Sequence, residues 1–117
     1  MTSVVIVDDH GGFRASAREL LELEGFEVIG EAVRAEDAVE VCSALRPEVV
    51  LLDVHLPDGS GLEVAEKLRA ALPGTAVVLV SSRGATDFGP RLTGCGAAGF
   101  IPKDALSGDA VRGVLAV

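Results

Sequence analysis

The stretch Val49-Val50-Leu51-Leu52-Asp53, followed directly by Val54-His55-Leu56-Pro57-Asp58-Gly59, decides how this chain folds. Four consecutive apolar residues bounded by turn residues read as a strand covered on both faces, the kind found in the middle of a parallel sheet. Asp53 then stands at its carboxyl end. In open α/β sheets ligands bind in the crevice outside the carboxyl ends of the strands, so a lone acid there is placed for chemistry rather than for solubility. The function depends on what else arrives at that edge.

Similar runs lie on either side. Val4-Val5-Ile6-Val7 is a second fully apolar run and ends on Asp8-Asp9; residues 76–80 form a third and end on Ser81-Ser82. Residues 26–29 are a shorter strand carrying Glu27, which places it nearer the sheet edge. Residues 97–101 are a short fifth strand leading into Pro102-Lys103. Between the strands the period changes to that of helices. Apolar residues at 13, 17, 20 and 21 predict a helix over 13–24, stopped by Gly25. Ala38, Val41, Cys42 and Leu45 mark a second helix, with Glu36 and Asp37 in the first turn where the helix dipole favours them, and Pro47 after it. Ser60-Gly61-Leu62-Glu63 has the spacing of a capping box and opens a third helix, whose apolar face runs from Val64 and Ala65 to Leu72 before Pro73-Gly74. Gly84, Gly89 and Pro90 leave room only for a short fourth helix, from Thr86 or Asp87 to Cys95. Ser107 caps a last one through Val111, Val114 and Leu115. Strand and helix alternate five times, which predicts an α/β domain: a doubly wound parallel sheet with right-handed crossovers and helices on both faces.

At 117 residues the chain is expected to be one domain over 1–117, long enough for a single core. The few aromatic residues, four Phe with no Trp or Tyr, leave a core of Val, Leu, Ile and Ala. The net charge of -8 argues against direct nucleic-acid binding, which needs a basic surface to neutralise phosphates. It suits a basic or apolar partner, or a site that holds a cation. Cys42 and Cys95 form neither a metal-binding spacing nor a disulfide framework and read as buried thiols of a reducing cytosol. No signal peptide or membrane-spanning run is present, so a cytoplasmic domain is expected.

Asp8, Asp9, Asp53, Ser81 and Lys103 each stand at or just past the carboxyl end of a predicted strand, so folding brings them to one edge from four strands. Three carboxylates at such spacing repel one another, and a hard divalent cation is the usual remedy. Mg2+ takes oxygen ligands, keeps several waters and needs only one or two carboxylates. A hydroxyl and an ammonium opposite them suit a phosphoryl group, whose oxygens need a donor and a positive charge.

This arrangement resembles the receiver domain of two-component response regulators. Asp8-Asp9 follows strand one, Asp53 follows strand three with Pro57 and Gly61 behind it, Ser81 follows strand four, and Phe100-Ile101-Pro102-Lys103 closes strand five. The resemblance covers essentially the whole chain. It implies a flavodoxin-like strand order 2-1-3-4-5 and phosphotransfer from a histidine kinase onto Asp53. It also implies Mg2+ held by Asp9, Asp53 and the backbone carbonyl of His55, with Asp8 helping through water. Lys103 would pair with the acyl phosphate. Ser81 would bond it and Phe100 would swing inward, repacking the face made by the fourth helix, the fifth strand and the last helix. The domain would be a signalling switch rather than an enzyme in its own right.

The Asp8-Asp9-His10 opening and the Gly-Ala-Ala-Gly-Phe-Ile-Pro-Lys run are most similar to receivers that precede a LuxR-type helix-turn-helix. The implied partners are therefore a histidine kinase, a missing or separate output domain that regulates transcription, and a second copy of the chain on phosphorylation. Three features depart from the family pattern: Asp104 rather than proline follows Lys103, Phe100 replaces the commoner tyrosine, and His55 and Arg83 occupy positions that tune phosphate lifetime.

Other readings compete. His10 and His55 without a third soft ligand are a weak metal case and read as polar surface. A haloacid-dehalogenase-like Mg2+-dependent hydrolase would place a second acid two residues after the nucleophile, where this chain has His55, and would need room for a substrate cap. A flavin or nucleotide binder would want a glycine- and hydroxyl-rich loop after strand one, where Asp8-Asp9 would repel phosphate. An unphosphorylated, receiver-like interaction module remains as the alternative function.

Overall fold

A computed structural model describes residues 1–82 and 94–116. In chain order the elements are β1 (Thr2–Val7), α1 (Gly11–Leu23), β2 (Phe26–Ala32), α2 (Ala35–Leu45) and β3 (Val49–Asp53). They continue with β4 (His55–Leu56), β5 (Gly59–Ser60), α3 (Gly61–Ala71), β6 (Ala76–Ser81) and β7 (Gly99–Pro102). A 3-10 turn over Lys103–Ala105 and a last helix, α4 (Gly108–Leu115), complete the elements among the described residues. The short helix expected between Thr86 and Cys95 lies largely outside the described residues.

The main sheet has the order β2-β1-β3-β6-β7 with every pair parallel, which is the expected order 2-1-3-4-5 once the β4–β5 hairpin is set aside. All five residues of β3 are buried. Side chains alternate faces along each strand. Val5, Val7, Val50, Leu52, Val77 and Leu79 therefore meet Ala38 and Cys42 of α2 and Leu62, Ala65 and Leu68 of α3. Val4, Ile6, Val49, Leu51, Val78 and Val80 meet Ala17 and Leu21 of α1 and Val111 of α4 on the other face. Two apolar layers on one sheet fix the register, because a one-residue slip would exchange them. Cys42 and Cys95 are buried core thiols, and burial pushes that of Cys42 up to about 11.

The helix ends follow local chemistry. Gly25, at φ +93, ends α1 in a conformation that a Cβ disfavours. Ser60 caps α3, its hydroxyl accepting from the Leu62 amide at 3.1 Å rather than from Glu63 as a capping box would have it. Ser107 caps α4 through Ala110. Strand β2 runs three residues past the expected Ile29, because Gly30, Glu31 and Ala32 keep pairing with Val5, Ile6 and Val7 after a register shift.

Candidate functional site

The carboxyl ends of β1 and β3 are adjacent because these strands pair directly, Val7 opposite Leu52. Asp8 and Asp53 follow those positions and are both buried, at 0% and 3% exposure. Asp53 is held at its own strand end: its Oδ1 accepts from the His55 amide at 3.1 Å. The backbone behind it is closed by Gly61, whose amide donates to the Val54 carbonyl at 2.7 Å. A Cβ at position 61 would run into the Asp53 carbonyl oxygen and the Val54 Cα, so only glycine permits this approach.

Lys103 arrives from the end of β7 on the 3-10 turn. Its Nζ lies 2.7 Å from Asp8 Oδ2 and 3.4 Å from Asp53 Oδ2, with its ammonium 4.5 Å from the centroid of the Phe13 ring. Burial is the main influence that raises the Asp53 carboxyl above its ordinary value, and the neighbouring Asp8 charge adds to it. The His55 amide and Lys103 oppose the shift without cancelling it.

Ser81 is fully buried at the end of β6, one residue beyond Val80, which pairs with Asp53. It sits opposite Pro102, and Phe100 sits opposite Leu79, partly buried against the α2–α3 layer. Among the described residues no peptide bond is cis, including those flanking Pro102. All the residues expected at this edge are therefore gathered from β1, β3, β6 and β7.

Two further side chains belong here. His10, which reads as polar surface in the sequence, places Nδ1 3.1 Å from Asp8 Oδ1 and 3.2 Å from Asp9 Oδ1, and its amide donates to Asp8 Oδ1 at 2.8 Å. The signal available in the sequence is its adjacency to Asp8-Asp9, since a short acid readily accepts from the amide two residues on. Arg14, in the first turns of α1, donates to the Asp8 carbonyl at 2.8 Å and pairs with Glu31 at 2.9 Å, tying β1 to β2 beside the site.

The donor set fits a divalent cation. Asp8, Asp9, His10 and Asp53 each offer one ligand atom, all within 4.8 Å of one another. Asp8 Oδ2 and Asp9 Oδ1 are buried and accept no hydrogen bond; the close approach of Lys103 to Asp8 is an ion pair without hydrogen-bond directionality. Buried carboxylate oxygens short of donors are what a hard cation completes.

A parallel sheet of this order with an acidic, lysine-bridged pocket at its carboxyl edge defines a doubly wound α/β domain of the flavodoxin-like order. The model of the response regulator receiver domain matches residues 4–112, and the chain belongs to that family. It is 40% identical to the response regulator GacA of Pseudomonas aeruginosa over 106 residues, covering 90% of this chain and 50% of that protein. Against the response regulator UvrY of Escherichia coli it is 32% identical over 118 residues, covering all of this chain and 54% of that one. The chain thus spans about half the length of the curated relatives it matches. Among solved structures, the signal receiver domain of NarL from Mycobacterium tuberculosis superposes with a TM-score of 0.88 at 35% identity, covering 98% of this chain and 94% of that one. These findings confirm the receiver fold and family expected from the sequence. Among the described residues no helix is long and apolar enough to cross a membrane.

Proposed function

We propose that Asp53 is the phosphoacceptor of this receiver domain and that its phosphorylation is read out through Ser81 and Phe100. The observation that carries this reading is the position of Lys103 Nζ, within 3.4 Å of both Asp8 and Asp53 across the mouth of a buried acidic pocket. A carboxylate is a weak nucleophile, and phosphoryl transfer depends mainly on positioning and on neutralising charge. Asp8, Asp9 and Asp53, with the His55 carbonyl, are the groups that would hold Mg2+, which when bound neutralises the carboxylates and the phosphoryl oxygens. The His55 amide orients Asp53 Oδ1 and leaves Oδ2 facing Lys103. Asp53 attacks the phosphorus of the phosphohistidine donor, the imidazole leaves, and the new acyl phosphate keeps its charge against the Lys103 ammonium.

A phosphorylated side chain carries about -1.5 to -2 charges and strong acceptor oxygens. The Ser81 hydroxyl, one residue past the Asp53 register on the neighbouring strand, is drawn to them. Phe100, partly buried two positions earlier in the β7 register, repacks in response. That is a two-state element biased by a local charge. The histidine kinase, an output domain that regulates transcription, and a phosphorylation-dependent homodimer are the partners this reading assigns. GacA and UvrY, each about twice as long, are named as response regulators. A cytoplasmic location goes with those partners.

The test is site mapping. After incubation with acetyl phosphate and Mg2+, borohydride reduction converts an aspartyl phosphate to homoserine, and peptide sequencing then reads the position. Homoserine at residue 53 supports the assignment; reduction at Asp8 or Asp9 instead overturns it.

A further inference from the structure

We infer that His10 is a fourth, nitrogen ligand to the cation pocket, so that this site takes borderline divalent ions such as Zn2+ and Co2+ as well as Mg2+. The inference deepens the reading of the acidic edge as a cation site and rests on it. His10 follows Asp9 at the amino end of α1, and its own amide is pinned to Asp8 Oδ1 at 2.8 Å, which fixes where the ring begins. The ring stands at the mouth of the pocket with one nitrogen against the acids: Nδ1 lies 3.1 Å from Asp8 Oδ1 and 3.2 Å from Asp9 Oδ1. Its ligating nitrogen and oxygens of Asp8, Asp9 and Asp53 fall within one sphere of mutual distances below 4.8 Å.

Independently of the imidazole, Asp8 is wholly buried, and its Oδ2 accepts no hydrogen bond. Asp8 Oδ2 faces Lys103; on the side that His10 covers, the buried oxygen that accepts no hydrogen bond is Asp9 Oδ1, 3.2 Å from the imidazole.

The chemistry of this donor set is not that of a purely carboxylate site. Mg2+ demands oxygen ligands and dehydrates reluctantly, so an imidazole adds little to its binding. Zn2+ and Co2+ accept imidazole readily, and a nitrogen with two or three carboxylate oxygens is a common set for them. His10 thus separates the two classes of ion: its removal weakens Zn2+ and Co2+ and leaves Mg2+ nearly unchanged. The ring is mostly solvent-exposed, so an incoming ion meets it at the mouth of the pocket before reaching the buried acids.

The chain contains only two histidines, which makes the test clean. Zn2+, Co2+ and Mg2+ are titrated separately into wild type, His10→Gln and His55→Gln at about pH 8, above the ordinary histidine range. Calorimetry gives the affinities, and the visible d–d spectrum of Co2+ reports nitrogen ligation. Zn2+ and Co2+ affinities are expected to fall at least about tenfold in His10→Gln, the smaller of the losses that even outer-shell substitutions cause. The Co2+ spectrum should change in the same variant, while Mg2+ affinity stays within about twofold. His55→Gln removes the only other imidazole and keeps the backbone groups of residue 55, so it reads whether the nitrogen ligand comes from that side chain instead. Unchanged Zn2+ affinity and an unchanged Co2+ spectrum in His10→Gln would overturn the inference and leave the cation site standing if Mg2+ still binds. Loss of Zn2+ binding in His55→Gln alone would move the nitrogen ligand to that residue and overturn it equally. Failure of wild type to bind Mg2+ would instead strike at the underlying reading of the pocket. Circular dichroism of each variant separates a lost ligand from a lost fold.

Discussion

Lys103 Nζ sits 2.7 Å from Asp8 Oδ2, closer than its 3.4 Å to Asp53 Oδ2, so the lysine of the pocket is anchored on the acid that follows β1 and leans towards the one that ends β3. The ammonium and a bound cation answer the same negative charge. Replacing Lys103 with Met should therefore lower metal-free stability by about 3 kcal/mol, because two buried acids lose their counter-ion. It should also raise Mg2+ affinity on the order of tenfold, because a competing positive charge has gone. Thermal melts with and without Mg2+ measure both. Weaker Mg2+ binding in the variant would contradict the competition.

Asp53 gives a pH dependence with a definite sign. Burial and Asp8 raise its carboxyl above the ordinary value of 3.8, so the folded state binds the proton more tightly than the unfolded chain. Its ionisation therefore destabilises the metal-free protein. The penalty is complete above the raised folded value and fades as pH falls through it towards 3.8. Asp53→Asn, which cannot ionise, should melt at a higher temperature than wild type at neutral pH in the presence of a chelator. The gap should close on acidification towards that range, as followed by melting temperature against pH. A gap that widens on acidification would contradict the raised value.

Gly61 tests how the site is supported from behind. An added Cβ meets the Asp53 carbonyl and the Val54 Cα, both backbone, so the loop must move rather than a side chain rotate. Gly61→Ala is expected to lose about 1–3 kcal/mol, the usual range for forced overpacking, and to slow phosphorylation of Asp53. Denaturant unfolding and the rate of phosphoryl uptake check the two effects. A stable variant with unaltered uptake would show that the close approach is not required.

Asp58 closes the amino end of α2, accepting from the Ala35 amide at 2.7 Å and the Glu36 amide at 3.0 Å. The Glu36 bond is the main cause that holds its carboxyl below the ordinary 3.8, so its contribution is present above that value and is lost as pH falls through the depressed one. Asp58→Ala should speed hydrogen exchange at Ala35 and Glu36 while leaving β3 protected. Equal exchange in variant and wild type would remove Asp58 as the cap.

How much of this is legible in the sequence follows the range of the interactions involved. The buried strands β1, β3 and β6 announce themselves as unbroken apolar runs, and each delivers its polar residue to the same edge because parallel strands point the same way. That is why Asp8, Asp9, Asp53, Ser81 and Lys103 can be grouped from residue order alone. Local caps are legible for the same reason: Ser60 and Ser107 act within their own first turns. The β2 extension through Gly30 and Glu31 is not, since its pairing partners lie on β1 and its residues lack an apolar pattern. Asp58 capping α2 joins positions more than twenty residues apart, and nothing local encodes that. His10 reads as polar surface in the sequence and is largely exposed; that its ring nitrogen also lies against Asp8 and Asp9 depends on where α1 starts, a matter of a few ångströms rather than of residue type.

The claim on which the rest depends is that Asp53 accepts the phosphoryl group. Intact-mass spectrometry after incubation with acetyl phosphate, with and without Mg2+, on wild type and Asp53→Asn tests it most directly. A gain of one phosphoryl group that needs Mg2+ and vanishes in Asp53→Asn is the expected result. The same gain on folded Asp53→Asn would contradict it, and a folded wild type that gains nothing from acetyl phosphate or from a phosphorylated histidine kinase would favour the unphosphorylated interaction module.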